Sequence, residues 1–257
     1  MTCIASSAAL VTGAASGLGR CFARELLAAG AQVAACDLEM RGLRELSTEA
    51  GDAASRLFIA RVDIADAAAV DAFVNEAYAT FGGLHIAINN AGVLRDGLLV
   101  KPVDGTFMMQ PLRQWSRVLD VNLTGQFHVA RAVAHKMLEH GVRDGVIVNV
   151  SSLARSGNVG QGSYAASKAG LDAAMRSWAL ELAPAGIRVA SVAPGVIDTP
   201  MLGEISEDAL EHLKRTVPLG RIGRPEEVWL AVRFAVECDF FTGRTVEVDG
   251  GAIMGAA

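Results

Sequence analysis

The chain has 257 residues, 51% of them hydrophobic and only 5% aromatic, with 27 glycines and a net charge of −5 from 23 Lys+Arg against 28 Asp+Glu. That supplies a large core, yet no run approaches the ~20 apolar residues of a membrane span. The acidic balance, with no run of basic residues, excludes a phosphodiester-binding footprint, so neither a membrane nor a nucleic acid is expected as a partner.

At about 150 residues per domain the length allows one or two domains, and residues 1–257 read as one, because no linker or fixed-period repeat divides them. Cys3, Cys21, Cys36 and Cys238 show no CxxC spacing, so neither a zinc site nor a disulfide framework is indicated and a reducing, cytoplasmic compartment is expected. The uncharged first 19 residues lack a basic start and are broken by Gly13, Gly17 and Gly19, which argues against a secretory leader. Sequons at Asn122 and Asn149 fall in elements expected to be buried or catalytic and read as chance.

In chain order, short β-branched runs alternate with longer amphipathic ones. Strands are expected at 8–12, 32–36, 57–62, 84–89, 145–150, 188–192 and 245–248, and helices at 18–29, 40–50, 67–81, 112–139, 164–183 and 225–236. Gly30, Gly82 and Gly141 stand where a left-handed helix end is wanted, and Pro225 opens the last helix with Glu226 and Glu227 in its first turn. Repeated βα units of this kind predict an α/β doubly wound Rossmann fold: about seven parallel strands with helices on both faces. Two long connections, near 93–111 and 194–215, are expected to act as substrate loops. Asp104-Gly105 between apolar runs predicts a hairpin within the first, whose Leu-Leu-Val and Phe-Met-Met runs suggest a wall of the cleft or a contact between subunits. Apolar residues of the second, Val196, Ile197, Met201, Leu202 and Ile205, suggest a lid, followed by a helical stretch with Leu210 and Leu213 on one side.

The first βα unit contains Gly13-Ala-Ala-Ser16-Gly17-Leu18-Gly19. Glycines between a strand and a helix let backbone N–H groups approach a pyrophosphate at the positive end of the helix. Asp37 closes the next strand about 20 residues past the glycine turn. A carboxylate there accepts hydrogen bonds from ribose hydroxyls and repels a 2′-phosphate, so NAD is expected over NADP. Asp63, followed by Ile64, ends the third strand within reach of an adenine amino group. Asn89-Asn90-Ala91-Gly92 ends the fourth with small residues that let backbone pack on the dinucleotide.

Tyr164 and Lys168 lie four apart and share a helical face. A neighbouring cation is expected to lower the phenol pKa and fit it for proton exchange with an alcohol or ketone oxygen. An exposed Tyr and Lys on an amphipathic helix would look the same in isolation. Here, however, Ser151-Ser152 ends the preceding strand and Asn122 lies in the helix before it. A hydroxyl can hold a substrate oxygen, and an Asn within a helix can divert a backbone carbonyl to a water.

Thr12-Gly-x-x-x-Gly-x-Gly19, Asn89-Asn-Ala-Gly92, Asn122, a serine, Tyr164-x-x-x-Lys168, Pro194-Gly195 and a closing Phe241–Gly251 segment occur in order at suitable intervals. Over nearly its whole length the chain resembles a short-chain dehydrogenase/reductase. The resemblance implies that Tyr164 is the general acid/base, that Lys168 binds the nicotinamide ribose, that a serine orients the substrate oxygen and that Asn122 supports a proton-relay water. It also puts Pro194, Gly195, Val196 and Thr199 against the nicotinamide. Counting thirteen residues back from the Tyr gives Ser151, whereas anchoring on the strand Val146–Val150 gives Ser152 and a one-residue deletion in the loop 153–157. A shift by one flips a strand side chain to the other face, and loops tolerate deletion better, so Ser152 is preferred.

The implied activity is hydride transfer between NAD and a secondary alcohol or ketone of medium to large, mainly apolar substrates: a hydroxysteroid, an aryl alcohol or a 3-hydroxyacyl thioester. A 3-oxoacyl thioester reductase of fatty-acid metabolism is a second reading, weakened by Asp37 because such enzymes usually employ NADPH. A non-catalytic NAD-binding scaffold is a third. The five histidines form no i, i+4 pair and no HExxH, so no metal is expected. Burial of the two long central helices between family members implies a homo-oligomer, a tetramer, which the apolar tail 251–257 would join.

Overall fold

Strands with apolar residues on both faces need cover on both, and parallel sheets supply it through their crossover helices. The computed structural model describes residues 2–202 and 207–252. Ile205 of the expected lid and residues 253–257 of the apolar tail lie outside them.

The strands β1 (Ala8–Thr12), β2 (Gln32–Asp37), β3 (Leu57–Arg61), β4 (Ile86–Asn89), β7 (Val146–Val150), β8 (Arg188–Pro194) and β9 (Thr245–Val248) form one sheet in the order β3-β2-β1-β4-β7-β8-β9. Every neighbouring pair is parallel. Strand periodicity divides β1 between two cores. Ala9 and Val11 join Phe22 and Leu26 of α1 (Gly17–Ala28), Leu43 of α2 (Met40–Glu49) and Trp229 of α8 (Pro225–Glu237). Ala8 and Leu10 join Val74 of α3 (Ala67–Phe81), Val133 and Met137 of α5 (Gln126–Glu139), and Met175 of α6 (Gly162–Leu182). Truncating any one of the fully buried Leu10, Leu26 or Leu43 to Ala would cost about 2–5 kcal/mol.

Chain progression runs outward from β1 through β2 to β3, then crosses back to β4 on the other side. The resulting crevice, outside the C-terminal ends of β1 and β4, is where doubly wound sheets bind ligands.

One expected element is divided. The single helix over 112–139 is α4 (Leu112–Leu119), a π-helical turn at Asp120–Gly125, and then α5. Hydrophobic periodicity cannot see such a turn, because the apolar stripe continues through it. The hairpin β5 (Val100–Val103) and β6 (Thr106–Met109) forms around Asp104 and Gly105, both at positive φ (47° and 78°), as two-residue hairpin turns require. It stands apart as its own two-stranded sheet, with Leu99, Phe107 and Met109 about 80% exposed, and none of its residues reaches the crevice. The wall expected from it is therefore confined to Leu94 and Asp96, ahead of the hairpin. The helical stretch after the second loop is α7 (Glu207–Thr216).

Buried Asn122 and Asn149 are 0% exposed, which leaves neither sequon open to a glycan. Among the described residues no helix is long and apolar enough to cross a membrane, and no group of three or more His, Cys, Asp or Glu could hold a metal ion. All four cysteines are free. Burial pushes the thiol of Cys21 up to about 12 and that of Cys36 upward as well, as befits small core residues.

Candidate active site

A cleft of about 600 Å³ opens at the C-terminal ends of the central strands. Its floor is the turn after β1. Gly13 has φ +68°, and a Cβ there would stand 2.8 Å from Ala91 Cα, so any side chain would collide with the end of β4. Gly19 sits equally tightly beneath Gly13 and Asn90 without lining the cleft. Thr12 fastens the two turns together. Its hydroxyl oxygen accepts from the N–H groups of Asn90 and Ala91, both at 3.0 Å, and Asn90 Nδ2 donates to Thr12 O at 3.0 Å. Helix α1 then begins at Gly17 with no side-chain cap, leaving its first N–H groups to face an anion.

Asp37, at the end of β2, lines the same cleft. Its Oδ2 accepts from Ala15 N–H at 3.0 Å and its Oδ1 from Glu39 N–H at 3.1 Å, which ties the glycine turn to the strand end. The cations near this end already have partners: Arg20 with Glu45, Glu49 and the Ala15 carbonyl of the glycine turn, Arg41 with Glu45, and Arg61 with the carbonyl of Leu38 beside Asp37. A glycine floor without room for Cβ, an uncapped helix start and a strand-end carboxylate fit the two phosphates and the adenosine ribose of a dinucleotide.

At the other end, α6 brings Tyr164 and Lys168 over the end of β7. Lys168 is 2% exposed, donates to Val150 O at 2.7 Å and has its Nζ 5.7 Å from the centre of the Tyr164 ring. Burial draws its ammonium down to about 8, with Asp172 offsetting part of the effect. Tyr164 behaves contrary to expectation: its phenol is held above its usual value rather than below it. Burial is the main cause, Asp96 adds to it, and a side-chain hydrogen bond with Ser152 opposes it. In this setting desolvation decides the direction.

The adjacent serines differ as strand alternation requires. Both line the cleft, but Ser151 is 2% exposed and its hydroxyl is buried with no hydrogen-bond partner among the described residues. Ser152 interacts with Tyr164, and its Oγ accepts from Ala154 N–H at 3.1 Å. Asn122, in the π-helical turn, clasps the backbone of Val93. It donates to Val93 O at 2.8 Å and accepts from Val93 N–H at 2.7 Å. Gly92 brings that strand end so close that a Cβ would stand 3.3 Å from Asn122 Oδ1 and 3.7 Å from Lys168 Nζ.

Ser16, Gly17, Leu18, Asn90, Ala91, Gly92, Pro194, Gly195, Val196 and Thr199 also line the cleft. Asp63 and Ile64 do not: Asp63 lies 3.8 Å from Arg117 Nη1, and Ile64 is packed beneath Gly125. The expected lid contributes Ile197, Met201 and Leu202, joined by Leu213 from α7. Sequence reasoning missed a polar rim of Asp96, Asn158 and Gln161. Gly97 N–H donates to Gly160 O at 2.8 Å, which brings the two loops together and sets Gln161 Nε2 3.5 Å from Asp96 Oδ2. The only signal was two polar side chains in the loop just before Tyr164.

Comparison with known proteins places this geometry. Residues 13–252 match the family model described as Enoyl-(Acyl carrier protein) reductase. The 3-oxoacyl-[acyl-carrier-protein] reductase FabG of Thermotoga maritima is 38% identical over 248 residues, 95% of this chain and 97% of the relative. The (3R)-3-hydroxyacyl-CoA dehydrogenase of Canis lupus familiaris is 37% identical, with 97% of each chain covered. The crystal structure of a short-chain type dehydrogenase/reductase from Mycobacterium marinum superposes with a TM-score of 0.88 at 30% identity over 96% of each chain. With a seven-stranded parallel sheet, a glycine-floored cleft and relatives of this kind over nearly its full length, the chain belongs to the short-chain dehydrogenase/reductase family, as an oxidoreductase acting on hydroxyl and keto groups.

Proposed function

We propose that the protein is an NAD(H)-dependent reductase and dehydrogenase that interconverts 3-oxoacyl and 3-hydroxyacyl thioesters, working in the cytoplasm. The observation that carries the reading is the convergence of Tyr164, Lys168 and Ser152, backed by buried Asn122 behind Gly92, at one end of a cleft whose other end holds Asp37. Support for the substrate class comes from the relatives named for 3-oxoacyl and 3-hydroxyacyl thioesters, and from the apolar Ile197, Met201, Leu202 and Leu213 beside the site. The Asp37 carboxylate, with the nearby arginines already partnered, supports NAD over NADP.

When bound, the dinucleotide supplies the hydride for the carbonyl carbon, or accepts it from the alcohol. Gly13, the α1 N-terminus and Asp37 would hold its adenosine and phosphate portion, without Asp63 and Ile64, which lie outside the cleft. Lys168 would hold the nicotinamide ribose, and Pro194, Gly195, Val196 and Thr199 its nicotinamide. Ser152 orients the substrate oxygen. Tyr164 gives its phenolic proton to that oxygen during reduction and takes it back during oxidation. A phenol held above its usual value is protonated at neutral pH, so the proton needed for reduction is already in place. Asn122 fixes the Val93 backbone and with it the wall of the site. The loops near 93–111 and 194–215 select the acyl portion.

Exposed Phe127 and Leu138 on α5, with Leu180 on α6, support a homo-oligomer, a tetramer, formed across these helices.

Nicotinamide absorbance followed with NAD(H) and NADP(H) in parallel, across 3-oxoacyl thioesters, hydroxysteroids and aryl ketones, tests the reading. NADH oxidation with the thioesters is the expected result. Preference for NADP(H) overturns the Asp37 argument, turnover confined to steroids or aryl ketones overturns the substrate class, and cofactor binding without turnover points to a scaffold.

A further inference from the structure

The turn that carries Ser152 is a residue shorter than the family spacing leads one to expect, and it contains an arginine whose contacts all lie at the back of the site. Arg155 donates through Nη1 to Ser152 O at 3.2 Å, pairs through Nε with Asp172 Oδ2 at 3.1 Å, and reaches Glu247 of β9 through Nη2. Asp172 stands one helical turn beyond Lys168 on α6 and is 4% exposed. Its Oδ2 also accepts from Thr245 Oγ1 at 3.2 Å, whereas its Oδ1 is buried with no hydrogen-bond partner among the described residues. A buried carboxylate with half its acceptor capacity unmet is expensive. Buried Lys168 lies four positions back on the same face of α6.

From this geometry we propose that Arg155 and Asp172 are positioning residues: Asp172 sustains the Lys168 ammonium, while Arg155 balances Asp172 and fixes the backbone of Ser152. The proposal rests on the roles given above to Ser152 and Lys168. Neither residue touches the substrate; each acts through another. The titratable or charged groups around Lys168 are Tyr164 and Asp172 from α6, Arg155 from the turn after β7, and Glu247 from β9 behind Arg155, with neutral Asn122 from the π-helical turn. Asp172 is the one charged group that acts on Lys168 directly.

Two substitutions should shift the high-pH limb of kcat/KM in opposite directions. Asp172→Asn removes the anion and leaves the Arg155 cation, so the limb should move to lower pH by about one unit. Arg155→Gln leaves the anion unbalanced, so the limb should move to higher pH, and kcat at the plateau should fall while KM changes little. Asp172→Glu should restore the wild-type limb, and it keeps the test open if Asp172→Asn does not fold. Limbs that stay in place, or uniform losses at every pH, would overturn the proposal and leave the pair a structural anchor. Lys168→Ala and Ser152→Ala run alongside separate the two levels: if these keep full turnover, the site reading itself fails, and if they lose it while the limbs stay fixed, only the positioning inference fails.

Discussion

Replacing Lys168 with methionine turns the electrostatics of the site into a measurable slope. The ammonium is 2% exposed, and burial draws its pKa from 10.5 to about 8. That difference of about 2.5 units corresponds to ~3 kcal/mol by which folding disfavours the charged form. Below pH 8 the folded and unfolded chains both hold the proton, so the whole penalty is present. Between about pH 8 and 10.5 the unfolded chain keeps a proton that the folded one has released, and wild-type stability gains ~1.4 kcal/mol per pH unit from this group. Methionine has a similar reach and does not titrate. Its loss of the 2.7 Å bond to Val150 O, worth about 1.5–3 kcal/mol for a charged donor, nearly offsets the relieved desolvation at pH 7. The two proteins should thus be close in stability at pH 7, and the wild type should lead by ~2–3 kcal/mol at pH 10. Urea unfolding of both at pH 7, 8, 9 and 10 measures this difference, because the linked titrations of Tyr164, Cys21 and Cys36 are common to both proteins and cancel in the comparison. Stability lines that run parallel from pH 7 to 10 would refute the claim that burial sets the charge of Lys168.

Other substitutions test single contacts. Tyr164→Phe should lower turnover by about 10²–10⁴-fold while cofactor affinity, read by fluorescence titration, stays within a few-fold; unchanged turnover would remove Tyr164 from the chemistry. Ser152→Ala should lower kcat strongly and Ser151→Ala only slightly, since the Ser151 hydroxyl is buried without a partner; steady-state kinetics showing the reverse would restore the thirteen-residue count. Gly13→Ala must place a Cβ 2.8 Å from Ala91 Cα at φ +68°, so a loss of about 2–4 kcal/mol is expected in thermal or urea unfolding, with weaker cofactor binding. An unchanged melting profile would mean that the two turns are not packed as described.

The parts of this molecule legible in the sequence are those set by local chemistry. Strands such as Val146–Val150, apolar on both faces, read as buried because parallel sheets leave no face for polar alternation. Asp104-Gly105 read as a hairpin because two consecutive positive φ angles are cheap for those residues. Tyr164 and Lys168 read as a pair because a helix puts i and i+4 on one face. What stayed hidden depends on distance through the fold. Nothing near Asp63 announces that Arg117 approaches it, or that the cleft passes it by. Arg155 meets Glu247 across 92 positions of sequence, and only the adjacency of β7, β8 and β9 brings them together.

The error over Tyr164 has the same origin and a wider consequence. Spacing alone says that a cation lies nearby, but the sign of a pKa shift depends on the balance between that cation and lost solvent, which only packing decides. Lys168 is itself buried and gives its hydrogen bond to Val150 O, and the same loss of solvent draws its ammonium down to about 8, so its charge is lost at a lower pH than in water. In this state the pair is a protonated phenol beside a lysine that titrates near neutrality. That arrangement is ready to donate a proton rather than to accept one. Alcohol oxidation, which needs the phenolate, should therefore accelerate as the pH rises toward the phenol's own titration, until loss of the Lys168 charge opposes it, whereas ketone reduction should hold its rate from neutral pH downward.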